Sequence, residues 1–221
     1  MAADSFDAHC ANIAILQSRD IQNEIGITAS QRDQMNKFAD ANRVALQAYQ
    51  KQLAGKPPEG KVLNGYLLQL QGRVVSVLSA SQLKRLRELN LQLAGLGGLM
   101  DPVVAGKVGL NGAAYEKYKQ TFLAGQKQAN ALIHQTMDPI NSKYEKLASV
   151  YKGKEKEHEP ELKKLFEQFK TEATAAKQRI EPAVKDLTRG TQQKLLAILT
   201  SPQKATWTAL KGRTYIPPKG K

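Results

Sequence analysis

Apolar residues recur along most of this chain in steps of three and four, the spacing that lines one face of an α-helix. Ile13, Leu16, Ile21 and Ile25 form the first run, which stops at Gly26, where a left-handed residue would end a helix. A second run holds Met35, Phe38, Ala41 or Asn42, Ala45, Tyr49 and Gln52 or Leu53, and ends in the turn Gly55-Lys56-Pro57-Pro58-Glu59-Gly60. Leu63, Tyr66, Leu67, Leu70, Val74 and Val77 make a third. Val74 to Leu78 has the composition of a strand, but no partner strand is evident, so a helix is expected there. Leu83, Leu86, Leu89 or Asn90 and Leu93 make a fourth run, closed by Gly95-Leu96-Gly97-Gly98.

The second half restarts at Asp101, an N-cap residue, followed by Pro102 in the first helical position. Two longer runs come next. Tyr115, Tyr118, Phe122, Gly125, Ala129, Leu132, Thr136, Ile140, Tyr144, Leu147 and Tyr151 predict a long helix bent at Pro139. Leu162, Leu165, Phe166, Phe169, Ala173, Ala176, Ile180, Val184 and Leu187 predict a second, interrupted at Pro182. Only the turn Lys152-Gly153-Lys154 and a charged stretch separate them, so an antiparallel hairpin over residues 115–187 is expected. A last helix carries Trp207, read as a packing residue, and Leu210, and ends at Gly212. Residues 1–11 read as irregular. The fold class is therefore all-α and elongated.

One junction recurs between these runs. Thr200 is a good N-cap, Pro202 fits the first turn, and Gln203 stands where its side chain reaches back to the cap's N–H. Thr28 with Gln31 and Ser79 with Gln82 repeat the arrangement, and Leu110-Asn111-Gly112 is a degraded copy. Aligning Gly26 with Gly109 and Gln82 with Gln203 gives two halves with the same element order. The chain then divides into a first helical repeat (12–95), a second with an extended hairpin (99–212) and a basic C-terminal tail (213–221).

The junction Leu199-Thr200-Ser201-Pro202-Gln203, with its looser copies at Ile27–Gln31 and Leu78–Gln82, resembles the LTxxQ-motif family of Spy- and CpxP-like periplasmic proteins. The resemblance implies a curved helical protein of the bacterial envelope, a homodimer, that takes part in stress responses and holds unfolded client proteins without ATP. Its physical logic is long-range basic attraction followed by loose apolar contact. One alternative is a structural protein that docks or dimerises through the 115–187 hairpin. Nonspecific nucleic-acid binding is a further, unfavoured alternative.

Charge fits a polyanion or acidic partner, but does not select one. The 221 residues carry a net charge of +13 and a pI near 9.7. Residues 1–31 are acidic instead, with Asp4, Asp7, Asp20 and Glu24 against Arg19 alone. Lys84, Arg85, Arg87, Lys204, Lys211 and Arg213 form the candidate basic contact surface, continued by Lys219 and Lys221. No nucleic-acid-binding motif accompanies them.

No catalytic residue, cofactor site or metal ligand is assigned. His9, His134 and His158 lie far apart, no phosphate-binding glycine loop or nucleophile elbow is present, and Asp7-x-His9-Cys10 reads as incidental. Cys10 is the only cysteine. No stretch approaches the ~18 apolar residues of a membrane span. Met-Ala-Ala-Asp-Ser lacks the regions of a secretory signal, so the envelope reading expects a leader already removed; the alternative is a cytoplasmic protein.

Overall fold

The structure is a computed structural model describing residues 6–53, 56–57 and 59–217. Those residues are all-α, with no strand among them. The Lys219 and Lys221 end of the basic tail lies outside the described residues. The chain forms two compact units, one of Met1–Val108 with Pro202–Lys221 and one of Gly109–Ser201. These units do not coincide with the ranges 12–95 and 99–212. The final helix belongs to the range 99–212 in sequence, yet packs with the first unit.

In the first unit, α1 (Phe6–His9) is a one-turn helix inside a stretch expected to be irregular. The expected first helix is split: Ile13–Gln17 is a 3-10 turn, and α2 (Arg19–Ile25) begins only after Ser18. Asn12 causes part of this, because its side chain accepts the Ala14 N–H at 3.0 Å and starts the tighter turn locally. Gly26 ends α2 at φ 74°, as its position predicts.

Helices α3 (Ala29–Gln52) and α4 (Gly60–Ser76) pack together, followed by α5 (Ala80–Ala94), a 3-10 turn over Gly95–Met100 and α6 (Pro102–Val108). Val74 and Val75, whose composition suits a strand, are buried inside α4. Asp101 caps α6 by accepting the Val103 N–H at 2.8 Å and the Val104 N–H at 3.2 Å. Helix α9 (Ser201–Lys211) completes this unit. Trp207 is buried, with the far edge of its indole against Gly98, where a Cβ would stand 3.1 Å from the ring.

The second unit is a helical hairpin of α7 (Gly112–Ser149) and α8 (Glu159–Ile198). Gly125 faces Thr191, Lys143 faces Glu172 and Tyr151 faces His158, so the partner's number falls as the chain rises and the helices run antiparallel. Pro182 does not interrupt α8, and α7 likewise runs on through Pro139. Thr136, three residues before Pro139, donates to the Leu132 carbonyl at 3.0 Å, the back-bonding by which threonine is held within a helix. Met137, Ile140, Ala173 and Ala176 form the buried seam, with Tyr144 and Phe169 packed against it edge to face at 5.4 Å. At Gly125 the helices approach so closely that a Cβ would meet Thr191 at 2.4 Å.

Candidate functional site

The first unit is organised around α5. From Gln82 to Leu91 every residue except Lys84 is buried. A helix buried on all sides must satisfy its polar side chains internally. Leu83, Leu86 and Leu89 enter the core with Ile21, Ile25, Ile27, Val75 and Leu78. Polar residues on the same helix hold segments distant in sequence. Arg85 donates to Glu24 at 2.6 and 2.9 Å and to Glu88 at 2.9 Å. Arg87 donates to Asp7 at 3.0 Å and to the Leu210 carbonyl at 2.6 Å, placing a cation at the C-terminal end of α9. Asn90 reaches the Asn12 carbonyl at 3.3 Å. Among the described residues, no buried side-chain nitrogen or oxygen lacks a partner.

This arrangement corrects the basic surface expected from sequence. Arg85 and Arg87 are 8% and 6% exposed and paired with carboxylates, so they form no surface for a polyanion. Arg213 donates to Glu24 at 2.7 Å, and Lys211 stands over the Trp207 ring at 5.6 Å. Lys84 and Lys204 are exposed. The acidic opening of the chain explains the difference, because Asp7 and Glu24 fold back onto the two arginines. Burial pushes the Glu24 carboxyl up, but its bonds and charge contacts with Arg85 and Arg213 outweigh that and hold it below the ordinary carboxyl value.

The caps do more than start helices. Thr28 Oγ1 accepts the Gln31 N–H at 3.2 Å, and Gln31 Oε1 accepts the Thr28 N–H at 3.0 Å. Ser79 and Gln82 form the same box at 3.3 and 2.9 Å. The two glutamines then pair with each other, Gln31 Nε2 donating to Gln82 Oε1 at 2.7 Å and Gln82 Nε2 to Gln31 Oε1 at 2.9 Å. Each amide also donates to the carbonyl two residues before the opposite cap: Gln31 to Val77 at 2.7 Å, Gln82 to Gly26 at 2.8 Å. The exchange is symmetric and gives both carboxamides two donated and two accepted bonds. Thr200 immediately precedes α9, with Gln203 as its third residue, while Asn111 at the head of α7 makes no side-chain cap bond.

Around Cys10 there is little reactive chemistry. His9 bonds to Asp101 at 2.8 Å through Nε2, and Asp7 is engaged by Arg87. Burial, and then the Asp101 carboxylate, push the Cys10 thiol up to about 11, which keeps it a thiol at neutral pH. No group of three or more His, Cys, Asp or Glu residues with metal-binding geometry occurs among the described residues. His134 is exposed beside Asp138, and His158 lies 4.9 Å from the Tyr151 ring at the hairpin turn.

Two apolar grooves stand open. In the first unit, a groove of about 710 Å³ lies between the 3-10 turn, α3 and α4. Its apolar part includes Leu16, Met35, Leu67, Leu68 and Val74, and its polar part is largely amide: Gln17, Asn36, Asn64 and Gln71. Leu67 is 61% and Leu68 59% exposed. In the second unit, a groove of about 350 Å³ is lined by Tyr144, Ala148, Leu162, Leu165, Phe166 and Phe169, with Phe166 60% exposed. Periodicity alone placed Phe166 in the seam. A two-helix hairpin covers one narrow stripe of each helix and leaves the flanking apolar positions in solvent.

Fold and site together define an all-α protein built on paired capping boxes, with two open apolar grooves. Compared with protein-family models, curated proteins and solved structures, the chain matches none. No helix among the described residues is long and apolar enough to cross a membrane.

Proposed function

We propose that this is a non-enzymatic protein-binding protein of the bacterial envelope, an ATP-independent holdase of the Spy and CpxP kind. The observation that carries the reading is the amide-rimmed groove of the first unit. Its apolar floor gains by covering side chains of an unfolded chain. Carboxamides both donate and accept, so they meet a client's main chain without requiring a particular sequence. The net charge of +13 draws acidic clients from a distance and is screened by salt. The periplasmic location and the stress-response role rest on the LTxxQ resemblance of the junctions.

The test is aggregation of a chemically denatured protein, followed by light scattering with and without a several-fold molar excess of this chain. Suppression at low salt that weakens as salt rises is the expected result. No suppression at any salt concentration would remove the holdase reading.

A second reading is favoured by the groove near the hairpin turn, where Phe166 and its neighbours offer an apolar surface for docking or dimerisation. Solution mass separates the two. A dimer lost on Phe166→Glu, with no suppression of aggregation by either form, favours docking.

A further inference from the structure

The C-terminal segment leaves α9 at Gly212, with φ 62°, and runs without regular structure to Pro217 across α5 and α2. A Cβ at Gly212 would stand 2.2 Å from the Glu88 carboxylate, so the exit is set by the close approach of α5.

The segment is held as a bound peptide would be. Gln92 Nε2 donates to the Arg213 carbonyl at 2.7 Å, and its Oε1 accepts the Tyr215 N–H at 2.9 Å. One carboxamide therefore reads two main-chain groups on the same edge of an extended strand. Arg85 adds a 2.8 Å bond to the same Arg213 carbonyl, and Glu24 accepts from the Arg213 guanidinium at 2.7 Å. The Tyr215 ring packs against the apolar core of the unit. Two backbone groups, one cation and one aromatic side chain are thus recognised within three residues.

Two further features distinguish this from an ordinary irregular segment. Two receiving groups also have partners outside residues 213–217: Arg85 pairs with Glu24 and Glu88, and Gln92 Nε2 donates to the Lys211 carbonyl at the end of α9 at 2.6 Å. The segment also underfills its place: a cavity of about 460 Å³ remains between it and Ile21, Leu89, Leu93 and Thr208. Leu93 is 67% exposed and Ile216 82%.

We infer that the α2/α5 surface is a peptide-binding site for extended segments of other polypeptides with an arginine two residues before an aromatic, and that residues 213–217 occupy it in cis as a competing pseudo-ligand. The inference goes beyond the holdase reading, because it names a second site with its own ligand chemistry: a basic and aromatic segment, complementary to Glu24 and to the core edge, rather than the acidic clients drawn by the net charge. An intramolecular occupant lowers apparent affinity by the fraction of time it fills the site, so release of the tail is the regulatory step.

The experiment uses the full chain and a fluorescent peptide Gly-Arg-Thr-Tyr-Ile-Pro, read by anisotropy. Arg213→Glu/Tyr215→Ala releases the tail and is expected to tighten peptide binding about tenfold over the unsubstituted chain. Adding Gln92→Ala to that variant reverses the gain. A peptide with glutamate for its arginine is expected to bind at least about tenfold more weakly, from loss of a charge-assisted bond to Glu24.

The inference is overturned if the released variant, helical by circular dichroism, binds no better than the unsubstituted chain, or if both peptides bind equally. Tyr215→Ala alone gives the same ordering with a smaller gain, and covers the case in which the double variant does not fold. A dimer of the unsubstituted chain that disappears on Arg213→Glu/Tyr215→Ala would reassign the groove to tail exchange between copies, and overturn the client assignment. Absence of peptide binding by a chain that still suppresses aggregation removes this inference and leaves the holdase reading standing.

Discussion

The first unit encloses arginines, glutamates, asparagine and glutamine in its interior, whereas the second buries an alanine-rich seam and shows most of its charge to water. Arg85, Arg87, Glu88, Asn90 and Gln82 are all buried on one helix of the first unit. Glu172 of the hairpin, paired with Lys143 at 2.6 Å and Tyr144 at 2.9 Å, is half-buried, with its side chain 40% open to water. Its pairing with Lys143, and then with Tyr144, holds its carboxyl below the ordinary value. Pairs this open to water contribute little, because water competes for both charges. Buried pairs add little net stability either, but they tie particular segments together, since removing one partner strands the other in a medium that cannot solvate it. The first unit is therefore specified by polar matching among distant segments, and the hairpin by close approach of two long helices.

The most damaging change to this contrast is Arg85→Ala. It strands the buried Glu88 and leaves Glu24 with Arg213 alone, and is expected to destabilise the first unit by ~3–5 kcal/mol. Trp207, the only tryptophan, sits in that unit and reports on it. In urea its fluorescence transition should move to lower denaturant while the helical signal of the hairpin stays; a shift of both together would contradict independent units.

Next comes Gln82→Ala, expected to cost ~1–3 kcal/mol because a buried carboxamide partner is lost and the Gln31 amide is left half satisfied. Gln31→Ala combined with it should cost clearly less than the two single effects added, since the glutamines act as a pair. Strict additivity in a double-mutant cycle would show that each box works alone.

Gly125→Ala acts only on the hairpin. A Cβ there meets Thr191 side-chain atoms at 2.4 to 2.9 Å, so overpacking of ~1–3 kcal/mol opposes the helix-propensity gain of about 1 kcal/mol. Thr191→Ala on the same background should recover much of the loss. An unchanged hairpin transition with the glycine substitution alone would refute the close approach.

The smallest expected effect is that of acid. Glu24 has a lowered pKa in the folded chain, so its contribution is present above its ordinary value of 4.5 and is lost as pH falls through the lower folded value. The Trp207 transition should weaken over that window, and less so in Arg85→Ala, where the larger cause of the lowering is gone and only Arg213 remains.

Much of this fold was legible in the sequence because helical periodicity and capping are local. Gly26, Thr28, Gln31, Ser79, Gln82 and Asp101 act within a few residues of themselves, and the structure shows them in the places their chemistry calls for. The pairing of Gln31 with Gln82 was not legible, since nothing in either box states that the other lies beside it. Arg85 and Arg87 were misread for the same reason. A short basic group beside leucines looks like a solvated face until Asp7 and Glu24 are brought onto it. The signal that was present is the acidic bias of residues 1–31 together with Leu83, Leu86, Leu89 and Leu91, which leave α5 no free face. Gln92 and Glu24 carry no motif at all, and only the path of the C-terminal segment gives them a role.

The central claim is that the first unit's groove, rather than the hairpin, holds unfolded protein. Its most direct measurement is light scattering of an aggregating client in the presence of Leu67→Glu/Leu68→Glu compared with Phe166→Glu. Both changes lie at exposed positions and leave the buried cores intact. Loss of suppression with the Leu67/Leu68 pair and its retention with Phe166→Glu is the predicted result, and the reverse ordering would contradict the account.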